Sequence, residues 1–156
     1  MSQMHETEKS YYTYADFLEW DESERCEIVD GEIVMMGAPS SDHQRILRKF
    51  LVALSIFLEG KTCEAFPAPF SVRLNPAKDD RDDTVLEPDI VVICDPSKID
   101  KRGCKGAPDL VIEIVSPSSI RHDRLVKFRK YQQAGVKEYW IADPETKSIQ
   151  SCVPWK

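Results

Sequence analysis

The stretch Leu110-Val111-Ile112-Glu113-Ile114-Val115-Ser116-Pro117-Ser118-Ser119 sets one carboxylate inside an apolar run that ends on turn and capping residues. Its length and composition fit a strand buried on both faces. A lone carboxylate in that setting is costly to desolvate unless it is ion-paired or holds a metal. Two readings of Glu113 are therefore open: a structural pair with a nearby Arg or Lys, or a functional group.

Upstream, Asp89-Ile90-Val91-Val92-Ile93-Cys94 has the same buried-strand signature and follows Glu87-Pro88. Proline suits a strand entrance because its missing N–H removes one ladder donor. Taken alone, Asp89 is simply an aspartate at that entrance. If the two strands are neighbours, however, Asp89 and Glu113 converge at one end of a sheet. Two hard oxygen ligands suit Mg²⁺, which keeps several of its waters.

Downstream, Ser116 to Ser119 cap a helix that should end near Ala134, with Gly135 as its stop. At about 100° per residue, Ile120, Lys127, Tyr131 and Ala134 share the stripe expected to face the sheet. Lys127 is out of place there unless its stem is buried and its ammonium reaches water or a partner. Asp123, four residues earlier, offers an ordinary helical ion pair. Pro39-Ser40-Ser41 opens the longest helix, expected to run to about Glu59 and to be core through Ile46, Leu47, Phe50, Leu51, Leu54, Phe57 and Leu58. His43 shares a face with Phe50, Leu54 and Phe57, as a packing or capping residue or as a member of a site. Cys26–Val29 and Glu32–Met36 flank Asp30-Gly31, a hairpin signal. Glu27 alternates with Cys26 and Ile28, so an exposed hairpin face is its simpler reading and catalytic support the alternative.

The remaining runs give a short helix from Tyr14 to Trp20 and strands at Thr62–Phe66, Phe70–Leu74, Glu138–Ile141 and Ile149–Val153. Lys78 to Asp83 reads as a solvated loop. The order of elements predicts one α/β domain over residues 1–156, built around a mixed sheet. Residues 1–10 are polar, lack an apolar signal core and are expected to be disordered. No apolar run approaches the ~20 residues of a membrane-spanning helix. The net charge of −6 argues against a nonspecific nucleic-acid coat, leaving a local basic face at Arg121, Arg124, Arg129 and Lys130. Five cysteines without a Cys-x2-Cys spacing suggest reduced thiols in a cytoplasmic protein. The three histidines lack helical pairing, so carboxylates would have to hold any metal.

Together, Pro88-Asp89, Glu113 and Lys127 resemble the PD-(D/E)xK nuclease signature. Val115 occupies the usual lysine position, and Lys127 is the candidate to supply that group from the following helix. A narrower resemblance covers most of the chain. Glu27-x-x-Asp30-Gly31, His43 on a helix, Pro88-Asp89-Ile90 and Pro108 to Ser118 are similar to the "Uma two" family of restriction-endonuclease-like proteins. So are Asp123, Lys127, Tyr131, Ala134-Gly135-Val136, Glu138-Tyr139-Trp140 and Asp143-Pro144. The resemblance implies a restriction-endonuclease-like core, a mixed central sheet flanked by helices. The chemistry those residues allow is phosphodiester hydrolysis, read as cleavage of DNA, with Asp89 and Glu113 holding Mg²⁺ (or Mn²⁺) and the Ile114 carbonyl as a third ligand by resemblance. Lys127 would be catalytic, with His43, Glu27 and Asp123 in support. Arg121, Arg124 and Lys130 would meet nucleic acid, and a homodimer would cut both strands. Further strand is expected after Asp143-Pro144, so the last sheet edge is open to being incomplete. The relocated lysine and the acidic charge keep a second reading in play: a non-catalytic module that binds nucleic acid or a protein partner.

Overall fold

Asp30-Gly31 reverses the chain between β1 (Cys26–Val29) and β2 (Glu32–Met35), with both turn residues at positive φ. Gly31 is required twice over, because a Cβ there would come within 2.3 Å of the Tyr11 ring. The computed structural model describes residues 9–21 and 23–153, so most of the 1–10 segment lies outside the described residues. The next elements are α2 (Ser41–Leu58), preceded by the short α1 (Tyr14–Phe17), then β3 (Glu64–Pro67), β4 (Val72–Arg73), β5 (Val85–Leu86) and β6 (Ile90–Ile93). They are followed by β7 (Ile99–Asp100), β8 (Gly103–Lys105), β9 (Leu110–Ile114), α3 (Phe128–Ala134), β10 (Glu138–Asp143) and β11 (Ser148–Cys152). A π-helical segment, His122–Lys127, leads directly into α3, and Gly135 at φ 90° ends it.

The expected mixed α/β architecture is present, but with two sheets where one was expected. One sheet runs β2-β1-β5-β4-β8-β7 and the other β11-β10-β9-β6-β3. Alternate residues of both meet in the main core, Val29, Val72, Leu86 and Cys104 from the first and Val91, Ile93, Val111, Tyr139 and Ile141 from the second, while Ile28 and Val85 pack with Tyr14 in a smaller cluster. The strands β5, β7 and β8 are two or three residues long, too short to show a sequence period.

Three expectations need correction. The long helix is not core: none of its residues is buried, and Val52, Ile56 and Phe57 are exposed by 53%, 69% and 65%. It packs on β3 and β9, with His43, Ile46, Leu47, Phe50, Leu51, Leu54 and Leu58 half-covered. The thiols are not all reduced either. Cys63 and Cys94 form a disulfide, because each stands one residue beyond the Glu64–Ile93 pair that ends the β3–β6 ladder. Finally, Glu27 is not on an exposed hairpin face. It is only 1% exposed, because the helical segment carrying His122 and Lys127 lies over it and brings the Lys127 Nζ to 2.8 Å from Glu27 Oε1.

Candidate active site

The antiparallel register of β6 and β9 pairs Ile90 with Ile112. One step further, Asp89 stands opposite Glu113, so the two carboxylates converge as adjacent strands require. Asp89 is pinned on two sides. Its Oδ2 accepts the Ile114 N–H at 2.7 Å, and its Oδ1 meets His43 Nε2 at 2.9 Å. His43 is placed by the start of α2, where Ser40 Oγ accepts the His43 backbone N–H at 3.1 Å as an N-cap.

Lys127 reaches Glu113 from the helix that follows β9. Its Nζ donates to Glu113 Oε1 at 2.6 Å and lies 2.8 Å from Glu27 Oε1 and 3.5 Å from Asp123 Oδ1. The π-helical hydrogen bonding of His122–Lys127 widens the helix over this stretch. Both Asp123 and Lys127 there are buried. Among the described residues no ion pair joins Lys127 to Asp89, so its second carboxylate is Glu27 and not Asp89. Val115, where the nuclease resemblance leads to the expectation of a lysine, is buried in the core.

Sequence reasoning missed three neighbours. The Tyr131 hydroxyl donates to Glu113 Oε1 at 3.1 Å. Its place one helical turn beyond Lys127, on the same stripe, was the available signal. The Glu87 N–H donates to Glu27 Oε1 at 2.9 Å, while a Glu87 carboxyl oxygen accepts the Ser71 hydroxyl at 2.8 Å. His122 Nε2 lies 3.8 Å from Glu27 Oε2 and is buried without a hydrogen-bond partner. Neither Glu87 nor His122 carries a pattern that would single it out.

The cluster holds more acid than base. Glu27, Asp89, Glu113 and Asp123 are each at most 6% exposed, around one ammonium. Burial alone would raise the Glu27 pKa, but the Lys127 charge, the nearby His122 ring and the bonds from Lys127 and the Glu87 N–H outweigh it and hold it at about 2. Burial, joined by the charges of Asp123, Asp89 and Glu27, pushes Glu113 well up against the pull of Lys127. Burial disfavours the Lys127 charge, yet Glu113 and Glu27 overcome it and raise the Lys127 pKa. The Asp89 bond raises His43 against a smaller effect of burial.

These side chains line a cleft of about 550 Å³ that also takes in Arg25, Ser116 to Ser119 and Pro144. Among the described residues no three His, Cys, Asp or Glu side chains are disposed to hold a metal between them. The donor set is nevertheless compatible with Mg²⁺, which takes one or two carboxylates and completes its octahedron with water and phosphate. The hydrogen bonds to Glu113 all fall on Oε1, and the surplus of buried acid favours a cation.

The expected basic face is only partly open. Arg121 is exposed, Lys130 is engaged by Asp30 at 2.5 Å, and the Arg124 side chain lies outside the described residues.

A family model described as "Putative restriction endonuclease" matches residues 14–154. The chain belongs to the Uma2 family. A crystal structure of a "putative nuclease belonging to DUF820" from Anabaena variabilis shares the Uma2 chain's fold at a TM-score of 0.75. That match covers 93% of this chain and 81% of the other at 21% identity, which establishes the fold alone. An uncharacterized Synechocystis protein is 30% identical over 118 residues, or 74% of this chain. The Uma2 chain described here spans 60% of that relative's length. No described helix is long and apolar enough to cross a membrane.

Proposed function

We propose that the chain is a Mg²⁺-dependent endonuclease that hydrolyses DNA phosphodiester bonds, with Mn²⁺ able to substitute. The observation that carries this reading is the Lys127 ammonium at 2.6 Å from Glu113, which supplies from a helix the charge that Val115 cannot supply from the strand. When held by Asp89 and Glu113, Mg²⁺ supplies Lewis acidity toward a phosphate oxygen and a more acidic bound water. The chain's own groups do the rest. Lys127, buried at the floor of the cleft, stabilises the negative charge that develops on phosphorus. Glu27 fixes the ammonium from behind, and its low pKa keeps it ionised throughout the working range. His43 orients Asp89, and Tyr131 orients Glu113. Arg121 offers phosphate contact beside a chain that is acidic on average.

A specific observation favours the alternative of a binding module: Lys127 is 2% exposed and in contact with three carboxylates, so no ammonium is open to phosphate as the cluster stands. Incubation with supercoiled and linear DNA, with Mg²⁺, with Mn²⁺ and with chelator, distinguishes the two. Metal-dependent cleavage that disappears in Glu113→Ala supports the enzyme. DNA binding without cleavage under every metal condition supports the module.

A further inference from the structure

We infer that the outward face of α2 is a self-complementary surface on which a second copy of this chain docks antiparallel, about a two-fold axis near Leu54. At about 100° per residue, Lys49, Val52, Ile56 and Glu59 fall within an arc of roughly 80°. Phe50, Leu54 and Leu58, the half-buried residues, lie on the opposite side. Val52 and Ile56 are thus at the centre of the solvent side, where a helix lying on a sheet ordinarily carries polar residues. They are 53% and 69% exposed. The helix has no buried residue in a single copy, so its inward side is also left short of cover.

Charge identifies the occupant. The stripe reads basic, apolar, apolar, acidic from Lys49 to Glu59, and both charged residues are exposed without an ion pair among the described residues. Laid against itself in the opposite direction, it places Val52 against Ile56 of the second copy and Lys49 against its Glu59. A two-fold contact requires that kind of reciprocity, each residue meeting the other's partner position. A lone antiparallel helix pair covers less than the ~800 Å² per partner of a standard interface, so the dimer should dissociate on dilution. The inference stands on the helix and not on the chemistry of the cleft.

Sedimentation velocity of the full chain across a micromolar concentration series tests it. The expected result is a reversible monomer–dimer equilibrium. Ile56→Glu and, independently, Val52→Lys should leave only monomer; circular dichroism should be unchanged, because both positions are exposed. Lys49→Glu and Glu59→Lys should each weaken the dimer by about tenfold through like-charge contact, and the double reversal should restore it. A monomer at every concentration, a dimer indifferent to Ile56→Glu and Val52→Lys, or a double reversal no tighter than the single changes would overturn the inference.

Discussion

The Lys127 ammonium sits 2.6 Å from Glu113 Oε1 although one group belongs to a helix and the other to the strand before it. The contact is possible because the chain after β9 turns back at the Ser116 to Ser119 cap. Helical side chains also lean toward the helix N-terminus, which carries Lys127 to the strand end.

Replacing that ammonium should therefore be expensive for the fold as well as for activity. Lys127→Met leaves Glu27, Glu113 and Asp123 buried without their cation, a loss of about 3–5 kcal/mol at neutral pH. Urea unfolding should show it, and adding Glu27→Gln should recover part of it by removing the carboxylate that is held ionised. A double variant no more stable than the single one would mean that Lys127 is not neutralising Glu27.

Glu27 sets an acid limit. Its pKa in the folded chain, about 2, lies below the ordinary 4.5. A depressed folded value contributes stability that is present above the unfolded pKa and is lost as pH falls from about 4.5 toward 2. The linked stability is roughly 3 kcal/mol. Unfolding curves collected across that window should be flatter for Glu27→Gln than for the parent chain.

How far these residues were legible depends on what each one contradicts. Glu113 and Lys127 stood out because each interrupts an apolar pattern, and the pattern survives in the fold. Glu27 could not be placed, because its burial comes from Lys127 and His122, which lie far along the chain and leave no mark on the hairpin pattern. The Cys63–Cys94 pair was hidden for a related reason: it depends on the register of β3 against β6, which no local spacing encodes. Helical periodicity marked α2 as amphipathic but could not say that one copy of the fold leaves it without a buried residue.

The disulfide has a direct chemical check. Thiol titration of the denatured, unreduced chain should count three groups, Cys26, Cys104 and Cys152, and five after reduction. Five before reduction would show that Cys63 and Cys94 are unbonded in the isolated protein.

Metal binding should be visible as stability. A ligand at ten times its Kd that binds only the folded state adds about 1.4 kcal/mol, enough to raise the melting temperature by a few degrees. Mg²⁺ or Mn²⁺ should give that shift in the parent chain and not in Asp89→Ala or Glu113→Ala. An equal shift in both variants would place the ion elsewhere.

The central claim is that Lys127, from the helix, completes the cleavage site of Asp89 and Glu113. Its most direct test is the rate of supercoiled-DNA nicking at saturating Mg²⁺ for the parent chain and for Lys127→Met, at a temperature where circular dichroism shows both folded. Steady nicking by the parent chain is expected, with a loss of about a hundredfold or more in the variant, the scale of removing one preorganised electrostatic group. Equal rates in the two proteins would contradict it.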